Sequence, residues 1–268
     1  VSANNNIDVY KFGDDKIIKS IYFNLKNVEE ADKDKVEISI HAGTKERTFF
    51  DGTLLDLMVV SFYQNGRNLV NLTDKSYRSN IAFDYEDDDI ATPLVPYLMP
   101  ITISMFNKTG NDISVKLAFE GVDAEDIIHF YEGVLSKELK RMPNENEIKT
   151  AMSHDFIKRR FISRRETLTA TEQGFQIPSG AGHYDRIVIY TVSGHIDRIK
   201  LTGLDDIIEE NDMDVLTDIT FIKNNLNPTL SPVGQIAIIE NLPAGVNYQL
   251  RVYGEKDTVF KILTEKIV

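Results

Sequence analysis

Between Tyr10 and Val122 apolar and polar residues alternate in short runs, IIKSIYFNL, KVEISIHAG, RTFF, MVVSFYQNG, PITISMF and ISVKLAFEG, punctuated by Gly, Asn and Asp. A period of two predicts strands with one buried and one wet face. From Lys35 to His41, Val36, Ile38 and Ile40 share one face while Glu37 and Ser39 take the other. Asn65-Gly66, within QNGRN, suits the positive φ angles of a tight hairpin, so antiparallel pairing is expected.

The period changes in DAEDIIHFYEGVLSKELKRM, where Ile127, Tyr131, Val134 and Leu135 recur at helical spacing behind Asp123 as N-cap. Pro143 ends this helix. NENEIKTAMSHDFIKRR then starts a second one, with Asn144 and Glu147 in capping-box spacing ahead of Ile148, Met152 and Phe156.

Strand signals return after Phe175 in YDRIVIYTV, HIDRIKLTG, DITFI, GQIAII, VNYQLRVYG and TVFKIL. The two halves open alike, with IKSIYFNL then VEISIHAG in the first and DRIVIYTV then DRIKLTG in the second. They also close alike, ISVKLAFEG at Gly121 matching NYQLRVYG at Gly254. Similar runs in the same order predict a duplicated unit. Eight strands with short connections need roughly 80 residues, so each half holds a two-sheet sandwich of jelly-roll type. The expected fold is all-β: a first sandwich over 1–122, a helical connection over 123–163 and a second sandwich over 164–268. Helices confined to the connection exclude a doubly wound parallel sheet.

Composition narrows the function classes. Hydrophobic residues at 42% and charged residues at 27% fit an ordinary folded protein rather than a disordered or fibrous one. The chain has no Cys, which removes disulfides, thiolate zinc sites and cysteine nucleophiles together. With 42 acidic against 30 basic residues the formal charge is -12, a field that repels phosphate backbones, so sequence-specific nucleic acid is not an expected partner. The opening VSANNNIDVY has neither a basic n-region nor an apolar h-region, and no stretch approaches the roughly 18 apolar residues of a membrane span. Neither secretion nor membrane insertion is expected.

Two matching β-sandwich halves joined by a short helical connection resemble the double jelly-roll major capsid proteins of tailless, membrane-containing icosahedral bacteriophages. The local likeness lies in YDRIVIYTVSGHIDRIKLTGLDDII, Tyr184 to Ile208, where a strand, a turn, a second strand and a Gly-led acidic segment succeed one another. The resemblance implies a structural protein of the virion, assembled in the host cytoplasm, whose homotrimers present a nearly hexagonal outline and tile a shell. Its implied partners are other copies of itself, neighbouring trimers, other virion proteins and an internal membrane surface. Members of that family often carry an N-terminal arm or amphipathic helix toward the membrane, whereas VSANNNID is short and polar.

No catalytic, cofactor-binding or metal residue is assigned. His41, His129, His154, His183 and His195 are scattered and none stands in HxH or HExxH spacing. GxSxG and the Gly-rich phosphate loops are absent, and Ser179-Gly180 after Pro178 reads as a turn. Calcium is the one candidate ion, through Asp84, Glu86, Asp87, Asp88 and Asp89 or through Asp212, Asp214 and Asp218, although neither cluster has the DxDxDG loop signature. The basic run Lys158 to Arg165 follows the second expected helix, where cations favour the C-terminal carbonyls; its other reading is a contact with an acidic neighbour, a membrane or nucleic acid. NLT at Asn71 and NKT at Asn107 fit glycan acceptor sites, relevant only to a eukaryotic secretory route.

The alternative to a shell protein is a non-catalytic two-domain binding module recognising carbohydrate or protein at a cell surface. The lack of Trp, against 11 Tyr and 14 Phe, weighs against sugar. A sandwich hydrolase would need an acid and a base carboxylate, and spacing singles out no pair among 42 acidic residues.

Overall fold

The computed structural model describes residues 1–11, 16–42, 47–66, 69–71, 75–82, 85–87, 90–92, 101–148, 159–178, 183–204, 206–243 and 245–267. They divide into two compact units, Val1–Phe49 with Val70–Arg159, and Phe50–Leu69 with Arg160–Val268.

In the first unit β1 (Asn5–Lys11), β2 (Lys16–Lys26) and β3 (Val36–Ala42) precede β4 (Arg47–Thr53), inside which the division between units falls. After the segment assigned to the second unit come β5 (Leu69–Asn71), β6 (Ser76–Ala82), the small hairpin β7 (Tyr85–Asp87) and β8 (Ile90–Thr92), β9 (Ile101–Asn107) and β10 (Ser114–Asp123). One sheet runs β1-β9-β3-β4 and the other β10-β2-β6-β5. Alternation sets which side chains go inward: Ile21, Phe23 and Leu25 of β2, Val36, Ile38 and Ile40 of β3, and Ile101, Ile103 and Met105 of β9 are all buried.

The second unit contains β11 (Arg159–Thr167), β12 (Glu172–Ile177), β13 (His183–Ser193), β14 (Ile196–Gly203), β15 (Asp206–Asp212), β16 (Ile236–Glu240), β17 (Tyr248–Gly254) and β18 (Val259–Ile267). Its strands run β11-β18-β13-β16, where β11 also pairs in parallel with Phe50 and Asp51 of β4, and β12-β17-β14-β15. Eight strands in two layers form a jelly roll. Phe175, Ile187, Ile189, Ile199, Leu250 and Phe260 from both sheets meet in its core, with the Phe175 and Phe260 rings 5.2 Å apart and edge to face.

The strand orders correspond. β1-β9-β3-β4 matches β12-β17-β14-β15, and β10-β2-β6 matches β18-β13-β16, with β11 added beside β18. The opening pairs of the sequence comparison fall on equivalent strands, β2 with β13 and β3 with β14. The closing pair does not. β17 has the two neighbours that correspond to those of β9, so ISVKLAFEG is equivalent to β18 and PITISMF to β17. Gly254 has a local cause instead: a Cβ there would lie 2.6 Å from the carbonyl oxygen of His195.

Three expectations need correction. MVVSFYQNG is not a strand but most of α1 (Leu54–Asn65), and Gly66 closes no hairpin; at φ 70° it caps the helix, its N–H donating to the Phe62 carbonyl at 2.7 Å. DITFI lies in α3 (Met213–Lys223), so helices are not confined to the connection. The boundaries move too, because 50–69, read within the first sandwich, groups with the second unit, and the connection ends earlier where β11 begins. α2 (Ala124–Leu139) stands where the first connecting helix was expected, and a helical turn over 145–148 follows it. There Asn144 and Glu147 close the capping box at 2.8 and 3.0 Å. Met152 and Phe156 lie outside the described residues.

Candidate functional site

The sequence TLLD starts α1. The Thr53 hydroxyl accepts from the backbone N–H of Asp56, whose carboxylate reaches back to the N–H of Thr53 at 2.6 Å. Every residue from Leu54 to Phe62 is buried, so this helix needs no polar stripe. Its one charge is matched within the second unit. Asp56 Oδ2 accepts from Lys261 Nζ at 2.7 Å and from the Thr53 hydroxyl at 2.8 Å, and Oδ1 accepts from the Ser163 hydroxyl at 2.5 Å and from the Tyr190 hydroxyl. Lys261 also donates to the Thr53 hydroxyl at 2.8 Å. Burial and then the Asp56 charge push the Tyr190 hydroxyl well above its ordinary pKa, keeping it a donor. Asp56 is 0% and Lys261 3% exposed, so no reactant reaches this cluster from solvent. A carboxylate with five donors on it holds elements together rather than reacting.

A second network borders it. Arg186 reaches Glu240 at 2.9 Å and Glu265 at 3.1 Å, Lys223 holds the other oxygen of Glu240 at 2.6 Å, and the Tyr63 hydroxyl donates to Glu265 at 3.1 Å. Burial pushes the Glu240 carboxyl up, but hydrogen bonds from Lys223 and Arg186 outweigh it and hold Glu240 below the usual carboxylate range. Burial likewise opposes the Arg186 charge, and Glu265 with Glu240 more than offsets it.

The residues singled out from sequence do not converge. His41 bonds Thr48 at 3.1 Å, His129 pairs with Glu132 at 3.0 Å, His183 opens β13, and His195 lies 3.8 Å from Asp197 and 3.9 Å from Asp214; His154 is outside the described residues. Asp84, Asp88 and Asp89 are also outside them, while Glu86 and Asp87 belong to β7. Asp212 ends β15, Asp214 accepts from Gln235 Nε2 at 2.6 Å, and Asp218 is exposed on α3. Among the described residues no three His, Asp or Glu stand together as a metal site. The basic run corrects its first reading: Arg159 to Arg165 lies on strand β11, not at a helix end, with Arg164 paired to Glu166 at 2.5 Å. Asn107 is 0% exposed and donates to the carbonyls of Val1, Ser2 and Asn111 at 3.2, 3.2 and 2.8 Å, which makes NKT a loop brace rather than a glycan site.

Among the described residues two exposed surfaces bear on assembly. Met213, Leu216, Thr217, Thr220 and Phe221 of α3 face its own unit, where the Thr217 and Thr220 hydroxyls accept from the N–H groups of Ile236 and Ile238 at 3.0 and 3.1 Å, closing the edge of β16. The other face carries Val215, Ile219 and Ile222, exposed by 44, 45 and 81%. In the first unit the outward face of the β10-β2-β6 sheet presents Tyr22 at 43%, with Ala118, Lys116 and Arg78 exposed around it. Neither surface was singled out in the sequence; the i, i+4, i+7 spacing of Val215, Ile219 and Ile222 was the available signal.

No family model matches the chain, and no curated protein matches it in sequence. Solved structures do. The STIV major capsid protein superposes with a TM-score of 0.62 at 14% identity, over 98% of this chain and 92% of that one. The major capsid protein P2 from bacteriophage PM2 gives 0.60 at 10% identity, over 100% of this chain and 94% of its own. At such identities the likeness is one of fold, and it extends over both units and the segment that links them. The chain has the double jelly-roll fold of the major capsid proteins of membrane-containing icosahedral viruses.

Proposed function

We propose that this chain is a major capsid protein and not an enzyme, and that three copies form a pseudo-hexagonal homotrimer whose neighbours tile an icosahedral virus shell. The observation that carries the reading is the repeated strand order in the two units, in a fold matching two capsid proteins over nearly their whole length. Two similar units per copy give a trimer six comparable lobes, an outline that packs against six neighbours. A closed ring needs two different complementary patches on one subunit, and unequal halves supply them. The partners are then other copies, and in the virion other shell proteins or the surface of an internal membrane. A net charge of -12 per chain opposes close approach of copies, so the basic residues of β11 or a bridging cation such as calcium would offset it. Analytical ultracentrifugation at low and high salt, with and without a chelator, tests this. A species near three times 30.5 kDa is expected. A monomer or dimer under every condition overturns it and favours a binding module.

A further inference from the structure

α1 and α3 hold the same place in the repeat, α1 after β4 and α3 after β15, the fourth strand in each matched sheet. α1 lies on the outward face of the β18-β13 sheet. Inward go Ile187 and Ile189; the alternate residues Val188 and Tyr190, with Leu263 and Lys261 paired opposite them, are 0 to 3% exposed although they point away from the core. On the corresponding face of the first unit no described residue gives such cover, and Tyr22 is 43% exposed. There Ile21 and Phe23 point inward, and the outward Tyr22 is paired with Ala118 and Asn80, with Asn24 between Lys116 and Arg78 in the next row. Among the described residues one repeat therefore has a helix face without a sheet, and the other has a sheet face without a helix.

We propose that Val215, Ile219 and Ile222 of α3 dock on the Tyr22–Ala118 row of a second copy of this chain, as α1 docks on the Val188–Leu263 row. Charge favours this occupant: Asp218 flanks the helix stripe, and on the sheet Lys116 and Arg78, in the row beside Tyr22, outnumber Glu120, which accepts from the Tyr22 hydroxyl at 3.0 Å. The two patches differ, so the contact is head-to-tail, and each copy offers one of each, as a closed ring requires. The inference rests on the trimer reading and gives that trimer its contact.

The absence of Cys permits a direct test by disulfide trapping. Chains carrying Ile219→Cys and chains carrying Ala118→Cys, co-expressed and oxidised, should give a linked species near twice 30.5 kDa that neither variant forms alone. The double variant should close covalently near three times 30.5 kDa, and Ile222→Cys with Tyr22→Cys serves as an independent pair. Asp218→Lys and Lys116→Glu should each weaken assembly at low salt by several fold and restore it when combined. Absence of mixed cross-links from both pairs, Ile219→Cys linking mainly to itself, or the double variant locking at the mass of one chain each overturns the docking. Sedimentation of the unsubstituted chain separates the two ideas: trimers without mixed cross-links leave the trimer standing and remove this contact, whereas a monomer removes both.

Discussion

α1 and α3 sit at equivalent points of a duplicated topology, yet α1 buries nine consecutive residues and α3 buries only those on one side. The residues follow the surroundings. LLDLMVVSF has no wet stripe, and its one carboxylate faces Lys261, whereas MDVLTDITFIK alternates buried Leu216 and Thr220 with exposed Asp214, Asp218 and Ile219. Topology fixes where a helix begins, and what covers it decides which side chains it carries.

The contrast can be broken at its strongest point first. Asp56→Ala removes the carboxylate that accepts from Lys261 and is expected to cost about 3–5 kcal/mol, whereas Asp56→Leu with Lys261→Met together should cost much less, because the pair is removed whole. Denaturant titration of the three proteins checks it, and equal losses in the single and double variants would mean the pair is not what anchors α1. Leu57→Ala, at a fully buried position of the same helix, should cost about 2–5 kcal/mol by the same measurement. At the end of α1, Gly66→Ala has open space around the added methyl but must adopt φ 70°, so a backbone cost of about 1 kcal/mol is expected in thermal unfolding.

Smaller effects sharpen the picture at α3. Because the folded-state pKa of Glu240 is lowered, its contribution is present above the ordinary carboxylate value of 4.5 and lost as pH falls through the folded value. The stability difference between the native chain and Glu240→Gln, about 1 kcal/mol or less at neutral pH, should therefore vanish on acidification; a difference constant with pH would rule out the ion pairs as its source. Ile222→Ala, in chains kept apart by dilution, should stay within about 0.5 kcal/mol of the native value, the opposite of Leu57→Ala in the equivalent helix. A larger loss would show that the exposed stripe already packs within its own chain.

Much of the sheet structure was legible because one-sided burial writes itself as alternation, as in β2, β3, β9, β14 and β17, while β13 and β18, buried on both faces, were legible as short apolar runs bounded by turn residues. α1 was not legible for the converse reason. A segment buried on all sides has no period, and its helix signal was the short TLLD box. DITFI misleads because Ile219 and Phe221 mimic alternation while the residues before them carry the helix. Asn-Gly serves a hairpin and a helix end equally well, so Gly66 could not decide between them. The Asp56–Lys261 pair joins residues 205 apart in sequence, which no local pattern reports. The basic residues suit a helix end by position alone, yet from Arg159 onward they belong to the strand β11, and no local pattern distinguishes the two.

That separation of 205 residues also orders events in time. A ribosome adding about 5–20 residues per second releases α1 roughly 10–40 s before Lys261 exists. Throughout that interval LLDLMVVSF is without the β13 and β18 surface that shields it in the finished protein, and Asp56 is without its cation. Early segments of this chain are thus obliged to wait for late ones, and the second unit is completed only when the last strand arrives. The stretch that lacks its final cover through that interval is the one that ends most completely buried, residues 54–62.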